Sequence, residues 1–283
     1  SMRIGFLHPG SMGVSLAASA KAAGHDACWA SQGRSSQTRE RADENGLTDV
    51  DTVQQLCEQC SAIVSICPPA ITVDVSRQVA GSNFDGLYLD ANAISPQRAK
   101  AIAGIVTKAG ARYVDGGVIG GPAWTQDKTV LYLSGTHAGD VVDWFAGGML
   151  ATSVLNADPV AASALKMCYA AYTKGTSALL YGILGTAEAM GVRQALQKQW
   201  EEGDGVLAAK ATGPASGVTS RAWRWIDEMQ EISCTFEEAG LPGGFHAAAS
   251  EIFRRLSDLR KESETTTEQV VEALLCEPSE GRS

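Results

Sequence analysis

Positive charge is scarce in this sequence. Its 283 residues carry 23 Lys and Arg against 32 Asp and Glu, a formal net charge of −9, and no stretch concentrates enough basic side chains to grip a phosphate backbone. That argues against nucleic acid as a partner. Long apolar runs are also missing: none approaches the ~20 residues a membrane helix requires, and the N-terminus has no charged region leading into an apolar core and cleavage site. A cytoplasmic protein without a membrane partner is expected, with Ser1 read as a remnant of expression ahead of a natural start at Met2. Histidine is limited to four residues, and the seven cysteines contain one C-x-x-C, Cys57 to Cys60, with no second pair and no histidine nearby. A structural zinc needs four ligands, so no metal is expected and the thiols read as reduced and structural.

What is present is a globular composition, 45% hydrophobic and 19% charged, long enough for two domains. The first informative stretch is Ile4 to Gly13. Its apolar opening reads as a short buried strand, and Gly10-Ser-Met-Gly13 followed by Val14-Ser-Leu-Ala-Ala reads as a turn running into a helix. Such a unit cradles a pyrophosphate, because backbone N–H groups reach the anion and the helix dipole favours negative charge there. Against the G-x-G-x-x-G fingerprint the stretch reads His8-x-Gly10-x-x-Gly13, so the first glycine is absent. Taken by itself it is either a phosphate cradle made of His8, Pro9, Gly10, Ser11, Met12 and Gly13 or an ordinary strand-to-helix turn.

A second strand follows from Gly24 to Ala30, and its tip bears on cofactor choice. An acidic residue there would hold ribose hydroxyls and repel a 2′-phosphate. Here the tip is Ser31-Gln-Gly-Arg34-Ser35-Ser36, with no acid, one guanidinium and small hydroxyls, a set that suits a phosphate. NADP(H) is therefore favoured over NAD(H), through Ser31, Arg34 and Ser35; a solvated loop with Ser36 capping the next helix is the alternative. Helices are expected over Gln37 to Gly46 and Asp51 to Gln59. Ala62 to Cys67 reads as a buried strand stopped by Pro68-Pro69, Gly86 to Asp90 as the next, and Ser95-Pro96 as a helix start. Arg112 to Asp115 is a further strand running into the glycine-rich Gly116 to Pro122. Val130 to Ser134 is the last clear strand, before a helical stretch near Asp140 to Phe145. Strands alternating with helices imply a doubly wound, mostly parallel sheet whose ligands lie outside the carboxyl ends of the strands.

Beyond Asp158-Pro159 the β pattern ends. Ala161 to about Met190 is an Ala-rich run, apolar on most sides, that reads as the spine of an all-helical domain and of a subunit interface. Further helices are expected over Ala195 to Glu202, Thr219 to Glu238, Phe245 to Arg260 and Thr265 to Leu275.

This order of pieces resembles the β-hydroxyacid dehydrogenase superfamily, which includes 3-hydroxyisobutyrate and 6-phosphogluconate dehydrogenases and, more distantly, imine reductases. Gly5-Phe-Leu-His-Pro-Gly-Ser-Met-Gly13 is similar to the family's opening Gly-Phe-Ile-Gly-x-Gly-x-Met-Gly. Asp90-Ala-Asn-Ala-Ile-Ser-Pro96 is similar to its post-strand substrate segment, Asp115-Gly-Gly-Val-Ile-Gly-Gly121 to its Asp-Ala-Pro-Val-Ser-Gly-Gly, and Ser163-Ala-Leu-Lys166 to the approach to its catalytic lysine. The nearest likeness is to a bacterial 6-phosphogluconate dehydrogenase-like subgroup with His-Pro-Gly and Cys-Pro-Pro signatures. The resemblance implies an α/β Rossmann domain over 2–158 that binds NADP(H), an all-α substrate and dimerisation domain over 159–276, and a tail over 277–283. It also implies Cys67, Pro68 and Asn92 beside the cofactor, Asn92 orienting substrate, Ile119, Gly120 and Gly121 in the substrate segment, and a homodimer formed through the helical domain.

The family's lysine corresponds to Lys166, facing the nicotinamide. Hydride transfer to a carbonyl builds negative charge on oxygen, which an ammonium stabilises and protonates. Lys166 is a lone cation in an apolar stretch, where desolvation lowers a lysine's pKa; a lysine snorkelling from a helix end looks the same in sequence. The departures bear on the substrate. The family's Asn one turn after the lysine is Ala170 here, leaving Tyr169 and Thr173 on the lysine's face as substitutes for orientation or proton relay. The family's substrate-gripping Ser corresponds to Ile119. Losing two polar contacts suits a substrate larger or less anionic than hydroxyisobutyrate. Trp124, Trp223 and Trp225 are either pocket walls, Trp223 foremost, or ordinary packing residues, and a later family lysine aligns with Asp227. The leading expectation is a small-molecule dehydrogenase or reductase in which Lys166 is the general acid/base. The alternatives are a C=N reductase on the same fold and a non-catalytic NADPH-binding regulatory protein.

Overall fold

The computed structural model describes residues 1–155 and 158–276; the tail read over 277–283 lies outside them. The chain forms two compact units, one from Ser1 to Tyr169 and one from Ala170 onward. No helix among the described residues is long and apolar enough to cross a membrane.

The first unit opens with strand β1 (Arg3–Leu7), helix α1 (Ser11–Ala22), β2 (Asp26–Trp29), α2 (Ser36–Glu44), β3 (Thr48–Asp49), α3 (Val53–Gln59) and β4 (Ala62–Ser65). It continues with α4 (Thr72–Gly81), β5 (Leu87–Asp90), α5 (Pro96–Lys108), β6 (Arg112–Ile119), β7 (Thr129–Ser134), α6 (Ala138–Val142) and β8 (Leu150–Val154). The eight strands make one sheet in the order β3-β2-β1-β4-β5-β6-β7-β8. From β3 to β6 every pairing is parallel, whereas β7 runs antiparallel to β6 and parallel to β8. The first six strands therefore have the doubly wound order, with its switch point between β1 and β4. Side chains alternate across the sheet: Ile4 and Phe6 pack on the face covered by α1, and Leu7 and Ile63 on the face covered by α3 to α5.

Besides the two-residue β3, which the sequence did not suggest, three sequence expectations change here. β6 does not stop at Asp115 but runs to Ile119, so Gly116 and Gly117 are strand residues rather than loop. β8, Leu150 to Val154, was not expected: its residues alternate weakly and its middle is half-exposed, so it lacks the apolar run of the inner strands. The Ala161–Met190 run is two helices, α7 (Ala161–Thr173) and α8 (Gly175–Ala189), with Lys174 between them.

The second unit is helical as expected: α8, α9 (Arg193–Gly203), α10 (Gly205–Thr212), α11 (Ser216–Thr219), α12 (Ala222–Glu238), α13 (Gly244–Leu256) and α14 (Thr267–Leu275). α13 packs on α12 and α8, and α14 on α8. α13 buries His246, Ala249, Phe253 and Leu256 at helical spacing. Trp225 of α12 packs edge-on to Phe253, with ring centroids 5.3 Å apart, which makes it a packing residue.

Candidate functional site

The crevice at the switch point is built first by the β1–α1 turn. His8 extends the β1 pairing by donating its N–H to Ile66 O at 3.0 Å, as a residue ahead of Pro9 is disposed to do. Gly10 is the N-cap of α1, with no side-chain cap and no acid in the first turn, so the helix's first N–H groups and its dipole face the crevice without an internal anion. The two glycines serve different needs. A Cβ on Gly13 would lie 2.3 Å from His8 O, so glycine there lets the helix sit on the turn; a Cβ on Gly10 would meet no protein atom. Gly10 has an extended conformation that any residue adopts, so neither packing nor backbone geometry demands glycine. Glycine there leaves the space beside the helix start open to close approach of a ligand.

The β2 tip stands beside this turn. Ser31 is buried, and its carbonyl accepts from Arg34 N and from an Arg39 Nη. Ser35, one residue earlier than expected, caps α2 by accepting from Thr38 N at 3.2 Å. Arg41 of α2 donates to Pro9 O at 3.2 Å; within a polar helix pattern this arginine carried no distinguishing signal. His8 and Arg34 line one cavity of about 470 Å³. Burial and the Arg34 charge push His8 down to about 4. These features fit a dinucleotide: an uncapped helix start, a glycine facing open space, and a cationic tip without an acid.

Beside β4, Cys67 N donates to Asn92 Oδ1 at 2.7 Å, and the Asn92 amide donates to Ser65 Oγ at 3.0 Å and Asp90 Oδ1 at 2.7 Å. Asn92 is buried and both its amide protons are bound within the protein. Through these bonds Asn92 ties the Cys67-Pro68 turn after β4 to the end of β5. Burial raises Asp90 to about 6 and the Cys67 thiol to about 12.

Lys166 is set by β6 and β7. Asp115 accepts from Ser163 N at 2.7 Å, from Ser163 Oγ at 2.5 Å and from Ser134 Oγ at 3.4 Å, while Ser134 Oγ accepts from Ala162 N at 3.0 Å. Two strands thus cap the start of α7 from outside the helix. Burial pushes Asp115 up to about 8. Gly117 permits the contact: a Cβ there would stand 2.6 Å from Ala162 O and 3.1 Å from Lys166 Cβ. Lys166 is half-buried, and Tyr169 and Thr173, on the same helix, are exposed. Ile119 ends β6 and Gly120 and Gly121 follow it, with Thr129 Oγ1 donating to Gly121 O at 2.5 Å; Trp124 is exposed on the loop beyond. In the second unit Trp223 is exposed, with the Arg224 and Arg260 guanidiniums each 5.1 Å from its ring. Asp227 is exposed, and its neighbour Glu228 is buried and bonds Lys174 at 2.6 Å. Among the described residues no cluster of His, Cys, Asp and Glu could hold a metal, and the cysteines are free.

Comparison with known proteins gives consistent results. Residues 3–143 match the NAD binding domain of 6-phosphogluconate dehydrogenase, and residues 187–256 match a domain of unknown function. An uncharacterised 28.5 kDa protein of Methanothermus fervidus is 26% identical over 206 residues, 71% of this chain and 78% of that one. The structure of Mycobacterium tuberculosis 3-hydroxyisobutyrate dehydrogenase with L-serine superposes with TM-score 0.67 at 17% identity, covering 97% of this chain and 99% of that one. A Streptomyces aurantiacus imine reductase does so with TM-score 0.54 at 16% identity, covering 95% and 98%. At these identities the two structures establish the fold alone.

Proposed function

The chain belongs to the β-hydroxyacid dehydrogenase superfamily, and from that premise we propose that it is an NADP(H)-dependent oxidoreductase acting on a β-hydroxy acid or a related carbonyl compound. The observation that carries this reading is the switch-point crevice: an uncapped α1 start, Gly10 facing open space and Arg34 at an acid-free β2 tip. The N–H groups of Ser11, Met12 and Gly13 would hold a pyrophosphate, and Arg34 with Ser31 and Ser35 the adenosine 2′-phosphate. A bound nicotinamide supplies or accepts the hydride. Lys166 holds a proton at the substrate oxygen, stabilising its negative charge as the carbonyl is reduced and withdrawing the proton in the reverse direction. Asp115, Ser134 and Gly117 position that lysine, and Tyr169 and Thr173 are the candidates for a relay to it.

Lys166→Ala is expected to leave NADPH affinity intact by calorimetric titration and to lower turnover by about 10²–10⁴-fold. Full activity in that variant would remove the lysine from the chemistry. Reduction of a C=N bond is a second reading, supported by Ile119 where a hydroxyl would grip a carboxylate and by the shared fold of imine reductases. NADPH consumption across keto acids and cyclic imines separates the two. The assembly we propose is a homodimer through the helical unit, supported by an apolar hollow of about 1000 Å³ between α8 and α13 with Tyr172 and Phe245 each 76% exposed at it. Contiguous apolar surface of this kind marks a partner.

A further inference from the structure

Two features of the 470 Å³ cavity at the β2 tip are unexplained by the protein itself. His8 Nδ1 and Arg34 Nε are both buried, and neither has a hydrogen-bond partner among the described residues. A buried nitrogen without a partner is uncommon and calls for a ligand or solvent to meet it. Both residues line the same cavity, and no carboxylate lines it. Arg34 approaches from the β2 tip and is the one charge that perturbs His8. The first turn of α1 brings no acid, and the Cys67 thiol beyond β4 is held neutral by burial. From α2, Arg41 donates to Pro9 O beside His8. The cavity lining therefore holds one cation, Arg34, one imidazole kept neutral by burial and no carboxylate. His8 also occupies the position of the missing fingerprint glycine, and its side chain lines the cavity.

We propose that His8 and Arg34 together form a clamp for the phosphomonoester on the adenosine ribose of NADPH, with His8 taking up a proton from solvent as the phosphate binds. This rests on reading the crevice as a dinucleotide site and extends it to a specificity residue. Arg34 provides the permanent charge, and the imidazolium adds a second donor only when a dianion is present to stabilise it. A ribose diol, lacking that charge, leaves the imidazole neutral. NADPH binding is thereby coupled to pH and NADH binding is not.

Calorimetric titration of the whole protein with NADPH and NADH, in buffers of different ionisation enthalpy between pH 6 and pH 8, tests this without any substrate. NADPH is expected to bind with net uptake of up to one proton and to weaken as pH rises, at most about tenfold per pH unit, while NADH binding stays flat. His8→Gln keeps a polar side chain but cannot titrate; it should abolish the uptake and reduce the preference for NADPH over NADH. His8→Gly, which restores the fingerprint glycine, serves as the second variant if the first unfolds. Because the phosphate's own titration is common to all variants, the difference isolates the imidazole. Equal proton uptake with both dinucleotides, or a pH slope unchanged in both variants, would overturn the clamp while leaving the dinucleotide site standing. Failure of wild type to bind either dinucleotide would overturn the site and the clamp together.

Discussion

Gly10 and Gly13 stand three residues apart and answer to different parts of the chemistry. Gly13→Ala puts a methyl group 2.3 Å from a backbone oxygen, so it should lower stability by about 1–3 kcal/mol in a denaturant titration. Gly10→Ala meets no protein atom, so its unfolding midpoint should equal wild type while dinucleotide affinity falls. A destabilised Gly10→Ala protein that still binds dinucleotide would remove the anion-cradle reading of the turn. Arg34→Ala belongs at the same scale. Loss of a charge-assisted hydrogen bond, about 1.5–3 kcal/mol, should weaken NADPH by about 10–100-fold with little change for NADH. An equal effect on both dinucleotides would separate Arg34 from the 2′-phosphate. These residues were readable from the sequence because glycine and arginine carry their chemistry locally. Asn92 was readable only as a candidate: its three internal bonds come from Cys67, Ser65 and Asp90, and no spacing rule foretells them.

At the scale of elements, α7 is held by its N-terminus. Asp115→Asn keeps the volume but fixes an NH2 donor on one of the two oxygens to which Ser163 N and Ser163 Oγ donate, whereas the carboxyl, raised to about 8, sheds its proton as pH rises and then accepts on both oxygens. The expected result is a loss of about 1–3 kcal/mol of stability and a fall in turnover without a matching loss of dinucleotide affinity, measured by chemical unfolding and steady-state kinetics. Unchanged turnover in a folded variant would detach the cap from lysine placement. The pH dependence has a definite sign. Asp90 and Asp115 bind protons more tightly in the native state, with values raised to about 6 and about 8. Their contribution is fully present below the ordinary carboxylate range and is lost as pH rises through those values. Thermal midpoints should therefore decline from pH 5 to pH 9, and less steeply in Asp115→Asn. At this scale the sequence was legible where elements are regular and buried. It failed at β8, whose half-exposed alternation resembles loop, and at Lys174, where a short interruption inside an apolar run leaves no breaker residue to read except Gly175.

For the whole molecule, the apolar hollow of the helical unit is the feature that bears on assembly. Phe245→Glu is expected to convert a dimer to a monomer by light scattering while leaving the dinucleotide-binding unit able to bind NADPH; a monomeric wild-type protein would sink the homodimer proposal. The sequence by itself determined the alternation of strand and helix, the glycine turn after β1, the acid-free β2 tip and the helical character of the second unit. Each is set by backbone preference or hydrophobic period within a few residues. Only the tertiary structure decided that β7 reverses direction beside β6, that Asp115 caps a helix 48 residues away, and that His8 and Arg34 share one cavity. Those outcomes depend on which strands become neighbours, a choice made by the packing of the whole sheet and invisible to any local pattern.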